Sequence, residues 1–335
     1  MSSDYASSDS KANIKVFTGN ANPELAQEMA NYLGIPLGNA DVKKFSDGEI
    51  SVSIEESVRG KDVFLVQPIC APNINDNLLE LLIMADAVRR ASAARINAVI
   101  PYYGYARQDR KSKAREPITA KLIADLLSRV GMDRIITMDL HAAQIPGFFD
   151  IPVDHLPGVA ALSQYCIQAG YSGNCTVLSP DVGGVTRARD LATRLDAPLA
   201  IIDKRRPKPN VAEVMNIIGK IEGERVIIID DIIDTAGTIT NAAKAMMDKG
   251  AKEVILCATH AVLSGAALKN LAQAPVKEII LTNTIPIRPE DRLPNMKILS
   301  IAPLMGEAIQ RIHDDMPISE MFQKYKQVKI LGGNN

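Results

Sequence analysis

At 335 residues the chain is too long for one ordinary core and fits two α/β domains. A formal net charge of −1 argues against a general attraction to nucleic acid or anionic membrane and leaves only local basic patches to consider. Cys70, Cys166, Cys175 and Cys257 make no Cys-x-x-Cys pair, so the spacing speaks against a zinc site or redox dithiol and for buried, reduced thiols.

Residues 1–12 are rich in Ser and Asp without an apolar run, and are expected to form a disordered tail, not a signal peptide. Ile14–Thr18 reads as a strand and Pro23–Leu33 as a helix, with Asn22 as its cap and Gly34 ending it. Val63–Gln67 predicts a strand and Asn77–Ala91 a long helix. The apolar stretch Leu78–Val88 carries Glu80 and Asp86, so it does not suit a membrane, and a cytoplasmic location is expected. Asn97–Pro101, Ile135–Met138, Thr176–Ser179, Leu199–Asp203, Val226–Ile229, Val254–Ala258, Glu278–Thr282 and Ile298–Ile301 continue the strands. Alternation of this kind predicts mostly parallel sheets flanked by helices. A weak internal repeat relates Val63–Pro101 to Val226–Cys257 and suggests a duplicated domain. The expected boundary lies near Pro157-Gly158, giving domains over 13–157 and 158–322. Met305–His313 predicts a last helix that packs back on the first domain.

Chemistry-bearing residues cluster after the predicted strands, where open α/β sheets bind ligands. Tyr102-Tyr-Gly-Tyr-Ala-Arg107-Gln-Asp-Arg-Lys-Ser-Lys-Ala-Arg115 holds five basic residues between positions 107 and 115. A mobile loop clamping a polyphosphate is the expectation, because Arg and Lys neutralise charge and Arg also stacks on bases. Asp139 and His141 follow one strand. Asp181 follows another and precedes Gly183-Gly184. His and Asp with open positions suit Mg²⁺ carrying a nucleotide phosphate. His155, His260 and His313 have no comparable setting. Lys204-Arg-Arg206 is a basic segment at a strand end, suited to stabilising charge during phosphoryl transfer.

The richest stretch is Val226-Ile-Ile-Ile-Asp-Asp-Ile-Ile-Asp-Thr-Ala-Gly-Thr238. Four β-branched residues predict a buried strand with Asp230 and Asp231 at its C-terminal end. A turn of small residues then opens a helix, whose first N–H groups and dipole favour an anion. The carboxylate pair suits sugar hydroxyls, so the whole describes a sugar-phosphate pocket. The bland alternative is an ordinary strand-to-helix turn with an Asp cap. The first copy of the repeat lacks these elements.

Together these residues resemble the ribose-phosphate pyrophosphokinase (phosphoribosyl-pyrophosphate synthetase) family, over about Asn13 to Phe322. The likeness rests on Lys44-Phe-Ser-Asp-Gly-Glu49, Asn75–Met84, Tyr105–Asp109, Asp139-Leu-His141 with Gly147–Asp154, Ser179-Pro-Asp181 with Gly183-Gly184, and Asp230–Thr238. It implies two similar phosphoribosyltransferase-like domains. It also implies transfer of the β,γ-pyrophosphoryl group of Mg·ATP to the C1 hydroxyl of ribose 5-phosphate, giving phosphoribosyl pyrophosphate and AMP. By the same resemblance, Asp234, Thr235, Ala236, Gly237 and Thr238 hold the 5-phosphate, and Asp230 and Asp231 the sugar hydroxyls. His141 and Asp181 bind Mg²⁺. Arg107, Gln108 and Asp109 meet the adenine side of ATP, completed by Phe45, Asp47 and Glu49 from a neighbouring subunit. Lys204 and Arg206 stabilise the transition state. The likeness is to the bacterial-type, phosphate-activated class, which forms hexamers, and places Ser57, Arg59, Arg115 and Ser319 at a regulatory anion site. Inorganic phosphate is then an expected activator, and neither nucleic acid nor membrane is an expected partner. Two alternatives remain open at this point: a phosphoribosyltransferase, which shares only the Asp230–Thr238 loop, and an inactive regulatory relative. For Phe45 the competing expectation is a core side chain of its own domain.

Overall fold

The structure, a computed structural model, describes residues 13–205, 214–221 and 224–322. The predicted tail over 1–12 and Arg206 lie outside the described residues. Two compact units emerge. The first runs to Pro157 and takes in Thr284–Pro286 and Ser300–Met321; the second holds Gly158–Asn283 and Ile287–Leu299. No helix among the described residues is long and apolar enough to cross a membrane.

The first unit is built on five parallel strands in the order β1 (Ile14–Thr18), β4 (Asp62–Val66), β5 (Arg95–Ile100), β6 (Arg134–Met138) and β7 (Val153–Leu156). Every residue of β4 is buried, as expected of a strand covered on both faces. The helices α1 (Pro23–Leu33), α2 (Ile74–Arg90) and α3 (Thr119–Val130) follow β1, β4 and β5. In α1 the Asn22 side chain accepts from Leu25 N, proline stands in the first turn, and Gly34 closes the helix in the left-handed conformation. Leu25, Ala26, Met29, Ala30 and Leu33 form its buried face. Two further strands, β2 (Ala40–Lys44) and β3 (Ile50–Ile54), pair only with each other as an antiparallel hairpin. The strands expected from sequence did not include them: ADVKK is charged, with little strand preference, while the alternating Ile-Ser-Val-Ser-Ile of β3 is a strand signal.

The second unit has seven strands in the order β10 (Val214–Ile218), β9 (Leu199–Arg205), β8 (Cys175–Ser179), β11 (Arg225–Ile233), β12 (Glu253–Ala261), β13 (Glu278–Thr282) and β14 (Met296–Leu299). Only β10 is antiparallel. Helix α4 (Val159–Gln168) leads into β8, and α5 (Val185–Leu195), α6 (Gly237–Asp248) and α7 (Ala267–Ala272) connect later strands. The two units repeat one topology, with β1-β4-β5-β6-β7 answering to β8-β11-β12-β13-β14. Where the first unit sets the β2–β3 hairpin apart as its own sheet, the second keeps β9–β10 in the main one.

One feature of the second sheet locates a ligand crevice. From β8 the chain passes through α5 to β9 on one side, whereas from β11 it passes through α6 to β12 on the other. Open α/β sheets bind ligands at the carboxyl ends of strands where the order reverses in this way.

The last helix, α8 (Ala302–His313), belongs to the first unit and packs on α1. The approach requires Gly306, since a Cβ there would lie 2.5 Å from the Tyr32 ring. A buried cluster fastens its end. Asp62 accepts hydrogen bonds from Asn97 Nδ2 at 2.7 Å and from Arg95, and faces His313 Nδ1 at 2.8 Å. Arg95 donates onward to His313 O and to Asp315. Removing one partner of a buried ionic cluster strands the rest, at a cost of about 3 kcal/mol or more. Asp62→Ala should therefore lower the unfolding free energy of the first unit by that much, read by urea unfolding. A change under about 0.5 kcal/mol would show that α8 is held by apolar packing alone.

Candidate functional site

In the second unit the local geometry opens a cleft between β8 and β11. Their pairing runs from Arg225↔Cys175 to Ile228↔Leu178, while β11 stays paired with β12 as far as Ile233↔Ala261. The expectation that β11 ends before Asp230 is thereby corrected. The strand continues through Ile233, because β12 supports it on one side after β8 has left the other. Asp230 and Asp231 sit on this half-freed stretch.

Across from them, β8 ends at Ser179, whose hydroxyl donates to Asp181 O at 2.7 Å. The Asp181 carboxylate accepts from Gly184 N at 3.0 Å and so shapes the turn into α5. The first turn of α5 sends Arg187 to the carboxylate pair, with Nη1 3.6 Å from Asp230 Oδ1 and 3.4 Å from Asp231 Oδ1. Asp231 N donates to Asp230 Oδ1 at 2.9 Å. Burial, more than any other cause, pushes the Asp230 carboxyl up to about 8. The Asp231 side chain adds to the shift, Arg187 opposes it, and the charge of Asp181 raises it further. A mostly buried acid pair of this kind is costly to ionise alone and well suited to accepting hydrogen bonds from vicinal hydroxyls.

Beyond β11 the chain turns through Asp234-Thr235-Ala236 into α6. Ala236 has φ +64°, a left-handed conformation that side chains seldom adopt. The turn is pinned around it. Ser264 Oγ donates to Asp234 Oδ1, Asn270 Nδ2 to Thr235 O at 2.9 Å, and Thr240 N and Oγ1 to Ala236 O at 3.0 and 2.8 Å. No side chain caps α6. A Cβ added at Gly237 would meet nothing nearer than Thr235 Oγ1 at 4.0 Å, so the space in front of the helix N-terminus is open, and Thr235 and Thr238 are exposed beside it. Amides, two hydroxyls and a positive helix end around an open space make an anion cradle.

In the first unit, Arg107, Gln108 and Asp109 follow β5. The segment expected to clamp a polyphosphate begins in packed residues and ends in exposed ones. Tyr102, Tyr103 and Ala106 are buried; the Tyr103 hydroxyl donates to Ala120 O at 3.0 Å, and its ring meets Phe149 edge-on. Gln108 N donates to Tyr105 O and Gln108 O accepts from Ala120 N, while Thr119 holds its side-chain oxygen and Gln144 Nε2 donates to Asp109. Arg107 and Gln108 are thus exposed groups on a fixed frame. After β6, Asp139 takes φ +36°, Asp139 N donates to Leu156 O, and Leu140 N donates to His155 Nε2 at 2.9 Å. His155, which no local pattern singles out, therefore shapes the loop that presents exposed His141.

Phe45, Asp47 and Glu49 form the tip of the β2–β3 hairpin. Phe45 N donates to Glu49 O, Gly48 N to Phe45 O, and Glu49 N to Asp47 Oδ1. The Phe45 ring is 56% exposed, which excludes the core alternative. Ser57, Arg59, Arg115 and Ser319 are all exposed on the first unit. Lys204 lies on β9, which continues through Arg205 where a strand end was expected. His141 belongs to the first unit and Asp181 to the second, and no group of three or more His, Cys, Asp or Glu among the described residues is arranged to hold a metal.

A family model described as the N-terminal domain of ribose phosphate pyrophosphokinase matches residues 14–131, and one described as the phosphoribosyl synthetase-associated domain matches residues 187–323. The ribose-phosphate pyrophosphokinase of Clostridium perfringens is 60% identical over 313 residues, covering 93% of this chain and 98% of its own length. The chain belongs to the ribose-phosphate pyrophosphokinase family. The enzyme of that name from Clostridium acetobutylicum is 58% identical, again over 93% of this chain and 98% of its own. The crystal structure of phosphoribosylpyrophosphate synthetase from Mycobacterium smegmatis matches with a TM-score of 0.85 and 44% identity, covering 90% of this chain and 99% of that one. Arg187, which the sequence motifs did not include, joins the site through its ion pairs with Asp230 and Asp231. It stands three positions beyond Gly184, so helix geometry returns its side chain over the turn, but its acidic partners follow only from the adjacency of β8 and β11.

The acid pair gives a pH prediction. Between its ordinary value near 4 and its raised one, Asp230 holds a proton in the folded protein that the unfolded chain releases, so folded stability falls as pH rises through that window. In ligand-free, chelator-treated protein, the melting temperature of Asp230→Asn relative to the parent should rise between pH 5 and pH 9. A constant difference would mean that Asp230 ionises normally.

Proposed function

We infer that this chain transfers the pyrophosphoryl group of Mg·ATP to the C1 hydroxyl of ribose 5-phosphate, forming phosphoribosyl pyrophosphate and AMP. The oxygen of that hydroxyl attacks the β-phosphorus, the bond from the β-phosphorus to the α,β-bridging oxygen breaks, AMP leaves with that oxygen, and the hydroxyl proton is released. The observation that carries this reading is the presence, on one chain of this family, of an acid pair beside an open helix N-terminus, an exposed aromatic–acidic hairpin tip and the exposed Arg107–Gln108 pair. A phosphoribosyltransferase needs only the first.

The family resemblance assigns each residue a task, and for the second-unit cleft the geometry supports it. Asp230 and Asp231 accept from the ribose hydroxyls, with Arg187 limiting their mutual repulsion. Residues 234–238 bind the 5-phosphate through α6 amides and the Thr235 and Thr238 hydroxyls. Arg107, Gln108 and Asp109 receive the nucleotide, and Phe45, Asp47 and Glu49 complete that site from a neighbouring subunit of a homohexamer. Lys204 and Arg206 stabilise charge on the moving phosphates. By the family resemblance Mg²⁺ is assigned to the His141 imidazole and the Asp181 carboxylate, as an ion that arrives with substrate and takes its other ligands from water and phosphate oxygens. When bound it would screen phosphate charge, with His141 and Asp181 as its protein ligands. Ser57, Arg59, Arg115 and Ser319 take inorganic phosphate as an activating anion.

Purified protein given Mg·ATP and ribose 5-phosphate should release AMP in step with phosphoribosyl pyrophosphate, faster with added phosphate. Lys204→Ala and Arg206→Ala should each lower kcat by about 10²–10³-fold without unfolding the chain. Absence of turnover by the purified parent would favour the inactive regulatory relative, and near-normal kcat in both variants would make the basic segment a surface turn.

A further inference from the structure

The first unit repeats the topology of the second, yet the position answering to the sugar-phosphate cleft is closed. At the ends of β1 and β4, the equivalents of β8 and β11, the Gln67 side chain fills the gap. It is fully buried, and a Cβ on Gly19 would lie 2.5 Å from its amide. Gln67 Nε2 donates to Glu80 Oε2 at 2.7 Å and to Asn77 O at 3.2 Å, and its Oε1 accepts from Ala21 N at 3.1 Å. Glu80, on α2, is 4% exposed and also accepts from Asn20 N at 3.0 Å and Asn20 Nδ2 at 2.9 Å. A carboxylate buried to this degree is tolerated only while such donors stay in place. Asn20 is consequently fixed.

The same Asn20 Nδ2 donates its other hydrogen to Val42 O at 3.0 Å, in the middle of β2. A two-stranded hairpin is at best marginally stable by itself. This one lays Ala40, Val42, Val52 and Ile54 on the core of the first unit. Its polar ties are Gly38 N to Val16 O at 2.7 Å and Asn39 N to Glu56 Oε1 at 2.8 Å near its root, Asn20 at mid-strand, and Lys44 to Asp76 at 2.5 Å near its tip. Asn20 is the tie that leads into the buried network. Phe45 lies three residues beyond Val42, about 10 Å along an extended strand. A small rotation at Val42 therefore displaces the tip.

We propose that Asn20, held by buried Glu80 and Gln67, is a positioning residue that aims the β2–β3 hairpin and so places Phe45, Asp47 and Glu49 at the nucleotide. The vestigial cleft of the first unit thus serves the nucleotide side of the reaction as a mount. This rests on the assignment of the hairpin tip to ATP made above.

The test is steady-state kinetics of the full-length oligomer with Asn20→Ala, Asn20→Asp and, as reference, Phe45→Ala. Asn20→Ala removes one donor from Glu80 but keeps the backbone N–H of residue 20 and the Gln67 amide on that carboxylate, and thermal unfolding of each variant checks that the unit stays folded. Loss of its hydrogen bonds should raise the KM for ATP about five- to tenfold while the KM for ribose 5-phosphate stays within about twofold. Asn20→Asp, which sets a second carboxylate against Glu80, should be at least as impaired. A rise in the ATP KM for Phe45→Ala but none for either Asn20 variant would overturn the mount while sparing the hairpin assignment. An unchanged ATP KM in Phe45→Ala would overturn that assignment and the mount with it. An equal rise of both KM values in Asn20→Ala would reduce Asn20 to a general structural role, against the proposal.

Discussion

The second unit depends on one interruption of strand pairing. β11 loses β8 after Ile228 but keeps β12 to Ile233. A strand held on one edge only can carry two adjacent acidic residues without burying them against a neighbouring strand, and it can still deliver the following turn in a fixed orientation. The acid pair, the Arg187 that faces it, the Asp181 turn and the open N-terminus of α6 all follow from that divergence. The chain order supplies it, since the connections from β8 and β11 leave in opposite directions across the sheet.

The first unit shows the same scaffold put to another use. Its β1–β4 junction is filled by a hydrogen-bonded Gln67–Glu80–Asn20 cluster where the second unit has open space, and its hairpin stands apart from the sheet. With one topology in both units, the second keeps an open helix N-terminus beside an acid pair and the first carries an exposed hairpin tip. Fold similarity alone assigns no chemistry; what separates the copies is which polar groups remain accessible at equivalent strand ends.

Much of this was legible in the sequence, for physical reasons. The Val226–Ile229 run and the small-residue turn after it declare a buried strand entering a helix, and the Asn22, Pro23 and Gly34 signals fix both ends of α1. Of the hairpin, β2 was hidden because Asp41, Lys43 and Lys44 give it little strand character, whereas the alternating Ile-Ser-Val-Ser-Ile of β3 was a strand signal in its own right. The continuation of β11 through Asp230 was hidden as well, since only pairing with β12 makes a strand of two adjacent aspartates. Tyr102 and Tyr103 read as loop residues beside a basic run, yet tertiary packing buries them. Arg187 and His155 act through partners on neighbouring strands, which no local pattern encodes. The motifs that matched the family were legible because phosphate and sugar recognition demand particular small and acidic residues at close spacing.

The central claim is that the cleft beside β11 holds ribose 5-phosphate with its phosphate against Gly237. Isothermal titration of ribose 5-phosphate into the parent protein and into Gly237→Val measures this directly. The open space at Gly237 lets the folded chain accept valine, so the account predicts an unchanged thermal unfolding profile together with loss of measurable sugar-phosphate binding. Binding of ribose 5-phosphate by the folded Gly237→Val protein at parental affinity would contradict it.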